Sequence, residues 1–178
     1  MSKLIRMTAL AASAAALTFA ATPAAAAPVG PVPPSRNATA TARIVKPLTL
    51  TWVQDLDLGT ILLSGAGTWG GALVGIGADG SFSCTDANVV CSGTPVVAKY
   101  KVTGTNNQRV YITAPNFNLT NANDGTTLAF TVDKGAGYVD LSNSGSVGVE
   151  FPLGGSITVA STTTGGVYTG TFNVTVDY

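Results

Sequence analysis

The sequence predicts an all-β protein, a two-sheet antiparallel β-sandwich with a barrel as the alternative closure, on three observations. The final stretch, residues 166–178, alternates without a break: Tyr168, Gly170, Phe172, Val174, Val176 and Tyr178 are apolar or small, and the odd positions from Thr169 to Asp177 are polar. That is the period of a strand with one buried face. Beyond residue 26 no stretch holds a helical period for three turns, whereas short alternating runs separated by Gly, Asn, Asp and Pro recur throughout. Charged residues are only 10% of the chain and glycines number 21, with Thr, Val and Ser filling much of the rest, a composition that suits strands and turns better than helices. Because a strand that ends the chain pairs with strands made earlier, the fold is closed by long-range contacts.

Taken in order, residues 1–26 read as an export signal. Lys3 and Arg6 make a basic start, residues 7–21 form an apolar run rich in Ala and Leu, and Ala24-Ala25-Ala26 supplies the cleavage site. The apolar run is about 15 residues, short of the roughly 20 that span a bilayer, and no later segment is long and apolar enough. Cleavage leaves 152 of the 178 residues, with seven basic and nine acidic side chains. One domain with a real core fits that length. A net charge near −2, with no basic cluster, excludes a nucleic-acid footprint.

Residues 27–37 are a proline-rich extension, with four prolines in residues 27–36, a density that favours extended, unpaired chain. The domain proper is expected over residues 38–178. Ala38, Ala40, Ala42, Ile44, Leu48 and Leu50 alternate with Thr and Arg, which predicts a long first strand interrupted at Pro47. Leu56, Leu58 and Ile61 face inward around a bend at Gly59. Residues 73–76 and 81–84 form a hairpin across Ala78-Asp79-Gly80, and residues 96–104 and 108–114 a second one across Thr105-Asn106-Asn107. Residues 126–133 alternate with Leu128, Phe130 and Val132 on one face. Residues 138–141 and 146–151 make short strands, and residues 155–161 lead through a turn into the closing strand, whose core positions are Tyr168, Phe172, Val174 and Val176.

Chemistry is sparse along this chain. It contains no histidine, which excludes Ser-His-Asp and Cys-His catalysis and histidine-bearing metal sites, and it has no G-x-S-x-G elbow. Glu150 is the single glutamate, so a two-glutamate glycosidase pair is absent. Gly75, Gly77 and Gly80 match the spacing of a dinucleotide-binding loop, but no helix follows to receive a pyrophosphate, and the stretch reads as a turn. Asp55 and Asp57 share one face of an extended chain, next to inward Leu56 and Leu58, and read as surface or turn residues rather than an acid/base or calcium pair. Trp52, Trp69, Tyr111 and Tyr138 are candidates for a sugar-stacking platform, weighed against ordinary packing. Cys84 and Cys91, close together in an exported chain, predict a disulfide closing the loop of residues 85–90; a zinc site lacks a second pair. No cofactor and no metal are expected.

Several blocks in combination carry a family resemblance: residues 38–50, Asp55-Leu-Asp-Leu-Gly59, Val102-Thr-Gly104, Gly154-Gly155 and residues 168–178. Residues 37–178 resemble an exported bacterial family of unknown function, domain-of-unknown-function family 4402. The Gly-rich, Cys-containing stretch of residues 65–91 departs from its pattern. That family is similar in turn to fimbrial subunits of the chaperone–usher and common-pilus (Mat/Ecp) types. The resemblance implies an immunoglobulin-like sandwich left incomplete and completed by an N-terminal strand from a neighbour, with Gly165 or Gly166 at a characteristic place before the last strand. It further implies a non-enzymatic structural subunit of a surface filament, periplasmic and then displayed at the cell surface. Its partners would be copies of itself, a periplasmic chaperone and an outer-membrane usher. Ala38, Ala40, Ala42 and Ile44 would be the donor strand. The rival expectation is a monomeric secreted domain that binds a carbohydrate or another surface ligand.

Overall fold

A computed structural model describes residues 30–31, 35–142 and 147–178. Residues 1–26, expected to be an export signal, and residues 27–29 and 32–34 of the proline-rich extension lie outside the described residues. The chain divides into Met1–Ala42 and Arg43–Tyr178. The described residues of the first unit form no strand and are exposed.

The second unit is all β among the described residues: β1 (Thr49–Gln54), β2 (Thr60–Leu63), β3 (Ala72–Ile76), β4 (Phe82–Cys84), β5 (Val89–Ser92), β6 (Ala98–Thr103), β7 (Gln108–Thr113), β8 (Phe117–Asn121), β9 (Thr127–Asp133), β10 (Tyr138–Leu141), β11 (Val149–Val159), β12 (Tyr168–Thr169) and β13 (Thr175–Asp177). Every pairing is antiparallel. One large sheet runs β1-β6-β11-β9-β8-β12, with β3 and β4 added alongside β11; β10-β7-β13 and β2-β5 are two smaller sheets. The sandwich predicted from alternation is the observed architecture.

Its core has two parts because β11 changes partners halfway. Residues 149–153 pair with β6, and residues 155–159 with β3. Gly154 and Gly155 stand at the change. A Cβ on Gly155 would run into the ring of Phe130, and one on Gly154 into the carbonyl of Ile76, so both positions need the missing side chain for close approach. On one side of the change Val102, Val110, Leu141, Phe151 and Leu153 are buried together, from β6, β7, β10 and β11. On the other, Val74, Ile76, Phe130, Ile157 and Val159 are buried with Val89 of β5. Leu56, Val132 and Phe172 pack against both.

Four sequence expectations need correction. The first strand begins at Thr49, and Ala38, Ala40, Ala42 and Ile44 lie in no strand, with Ile44 90% exposed. Alanine buries too little apolar area for its alternation to dictate a core strand. Residues 96–104 and 108–114 are not a hairpin: β6 pairs with β1 and β11, whereas β7 pairs with β10 and β13. The chain between them crosses from one layer to the other at buried Gly104, where a Cβ would crowd Leu48, Leu141 and Tyr178. The strands expected at residues 146–151 and 155–161 are one strand, β11. The closing strand is divided: β12 pairs with β8 in the large sheet, β13 pairs with β7 in the smaller one, and residues 170–174 between them lie in no strand. The hairpin of β3 and β4 is as expected, its turn taking Gly80 at φ +85°.

Candidate functional site: an apolar cleft beside unpaired chain

The stretch that joins β12 to β13 keeps the side-chain alternation of a strand without the hydrogen bonds of one. Phe172, Val174 and Val176 are half-buried, and Thr171, Asn173 and Thr175 are exposed. Yet no backbone hydrogen bond engages residues 170–174 among the described residues. Extended chain with unmet backbone donors and acceptors is a template for another strand.

Beside it lies a cleft of about 820 Å³. One wall is residues 163–172, the other residues 55–61 with Leu63, and the floor is the inner face of the large sheet, including Phe117, Leu119, Leu128, Phe130, Ile157 and Val159. Phe172 closes one side by meeting Phe117 and Phe130 edge-on, at ring separations of 5.1 and 5.7 Å. The start of the first wall is held by Asn121, the one buried polar side chain among the described residues. Its amide donates to the Gly165 carbonyl at 3.3 Å and accepts from the Asn123 N–H at 3.0 Å. A Cβ on Gly166 would collide with that amide, whereas one on Gly165 would meet nothing within 4 Å. Asn121 is one of four Asn in residues 116–123, and nothing in the sequence sets it apart from Asn116, Asn118 and Asn123.

The two aspartates on the cleft's rim are engaged by nearby donors. The Asp55 carboxylate accepts from the Trp52 indole N–H at 3.0 Å, and the Asp57 carboxylate accepts from the Gly59 N–H at 2.8 Å. The Asp57 backbone also exchanges two 2.9 Å hydrogen bonds with Val96. Both aspartates therefore serve local structure. Burial first, and Asp55 second, push the Tyr100 hydroxyl above its ordinary pKa, so it stays neutral. Among the described residues no three His, Cys, Asp or Glu side chains gather as a metal site.

Cys84 and Cys91 are joined in a disulfide. It ties β4, at the edge of the large sheet, to the two-stranded β2-β5 sheet, whose Ile61 and Leu63 line the cleft. Peptide mapping of the protein purified without reductant is expected to recover the two cysteine peptides linked. Reduction is expected to cost about 2 to 3 kcal/mol in a denaturant titration; two alkylatable thiols in the unreduced protein would contradict the bridge.

Of the four aromatic platform candidates, the structure brings two together. Tyr111 and Tyr138 are directly opposite across β7 and β10. Trp52 lies on β1, and Trp69 packs half-buried against the core. The glycines at 75, 77 and 80 belong to β3 and the β3–β4 turn, where the Gly80 N–H donates to the Gly77 carbonyl. No helix follows them.

No curated protein and no solved structure matches the chain. The family described as "Domain of unknown function (DUF4402)" matches residues 48–178, the span of every strand described above. On that match the chain belongs to the DUF4402 family.

Proposed function

We propose that this protein is a structural subunit of a bacterial surface filament, exported by its N-terminal signal and polymerised by strand donation, with the N-terminal segment of one copy entering the cleft of the next. The observation that carries this reading is the run of residues 170–174, strand-like in its side chains and unpaired in its backbone among the described residues, with residues 170–172 lining a cleft whose floor is apolar. A donated strand would hydrogen-bond to that run and lay alternate side chains onto Leu119, Leu128 and Ile157. Residues 35–47 are exposed and in no strand, and they carry Ala38, Ala40, Ala42 and Ile44 at the alternate positions such a groove takes. This reading is non-enzymatic, and it calls for a periplasmic chaperone that covers the cleft before assembly and an outer-membrane usher. Deleting residues 27–42 from the mature protein is the test. The truncated subunit is expected to bind a peptide of residues 37–50 and to lose all polymerisation, while the full mature chain forms heat-stable ladders on a gel. A full-length protein that stays monodisperse with or without chaperone overturns the reading.

A further inference from the structure

The outer face of β10, β7 and β13 carries an arrangement that neither the core nor the cleft uses. Register sets Tyr138 opposite Tyr111, Asp140 opposite Arg109, and Asp177 on the far side of Tyr111. All five side chains are exposed, Tyr111 by 56%, and none lines the cleft. Arg109 is held in place: it donates to both oxygens of Asp140, at 2.8 and 2.9 Å, and its guanidinium sits 3.8 Å from the centre of the Tyr138 ring. Arg109 also keeps the Asp140 carboxyl below its ordinary pKa, so the pair is charged through neutral pH. Among the described residues no ring or cation stacks on Tyr111.

Cross-strand pairing alone explains why such residues stabilise a ribbon. It does not require two tyrosines on the solvent side beside a guanidinium whose donors are already aimed. The composition of the face narrows its ligand. One cation against two carboxylates leaves it slightly acidic, which disfavours nucleic acid and other polyanions. The remaining outward residues of this row are Thr113 and Thr175, so the aliphatic centre of a protein–protein contact is missing. Aromatic faces that receive the C–H groups of a pyranose, flanked by a fixed guanidinium and carboxylates that pair with hydroxyls, suit a neutral sugar. The groups are pre-positioned, which lowers the ordering cost of binding.

We propose that this face is a binding site for a neutral saccharide chain, with one sugar ring lying on Tyr111 and its hydroxyls met by Asp177, Arg109 and Asp140. The site is independent of strand donation and would be displayed whether the protein is monomeric or assembled. Titrating the isotope-labelled mature protein with cellohexaose, mannohexaose and the hexamer of N-acetylglucosamine, with dextran sulfate as the anionic control, tests it by amide shifts. At least one neutral probe is expected to shift residues of β7, β10 and β13 selectively. Tyr111→Ala should then weaken binding about tenfold or more, and Tyr111→Phe should retain it. Asp140→Asn, which frees Arg109 without touching a ring, should weaken binding also, and it serves where Tyr111→Ala does not fold. No shift from any neutral probe at millimolar concentration, shifts centred elsewhere, affinity unchanged in both Tyr111→Ala and Asp140→Asn, or binding of dextran sulfate alone would each overturn the proposal.

Discussion

Replacing Phe130 by alanine is expected to lower the unfolding free energy by about 3 to 5 kcal/mol, a large share of the stability of an ordinary domain. Phe130 is 2% exposed and projects from β9 onto three neighbours. Its ring stacks on Phe117 at 4.9 Å, meets Phe172 edge-on, and fills the space that Gly155 leaves open on β11. Truncation therefore opens a cavity whose glycine side cannot collapse, since the backbone there is held by β3 and β9. Phe172→Ala is expected to cost less, about 1 to 3 kcal/mol, because that ring is only half-buried. Thr131→Ala, facing outward on the same strand as Phe130, is expected to be near neutral. Urea titrations of the three variants give the order directly. Equal losses at Phe130 and Thr131 would mean that β9 is not a one-sided strand.

The residues behind this contrast also show how much of the fold was legible. Leu128, Phe130 and Val132 announce their strand because the two-residue period is local, and so does the Asp79-Gly80 turn between β3 and β4. Partnership is not local. β6 and β7 alternate as well as any hairpin and are joined by a turn-like Thr105-Asn106-Asn107, yet they lie in different layers. Only the packing of Leu48, Leu141 and Tyr178 around Gly104 reveals why. Pro152 and Gly154-Gly155 resemble breaks, and they instead sit within the longest strand, where it changes partners. The closing stretch kept its predicted side-chain alternation, but its core positions Tyr168, Phe172, Val174 and Val176 are half-buried. The cleft beside it had no signature, because a gap is the absence of a strand and absence leaves no period in a sequence. For the same reason the exposed tyrosine pair was visible only as four scattered aromatics.

Under the proposed strand donation, Ile44→Asp is expected to abolish polymerisation while leaving the protein's own stability within about 0.5 kcal/mol of the wild type. The side chain is 90% exposed and outside every strand, so a charge there has no cost within its own domain. In the proposed donated strand the same position would face the cleft floor, which includes Leu119, Leu128 and Ile157. An unpaired carboxylate in that place would carry a desolvation penalty of several kcal/mol, which hydrogen bonds to residues 170–174 would not offset. Donor and acceptor functions then separate in one molecule. The variant's cleft is intact, so it should still bind a wild-type peptide of residues 37–50, and mixed with wild-type subunits it should fail to add through its own N-terminus while still accepting theirs. Sedimentation and gel ladders read the first effect, and peptide titration reads the second. Ladders from Ile44→Asp as long as those of the wild type would show that this segment enters no apolar groove.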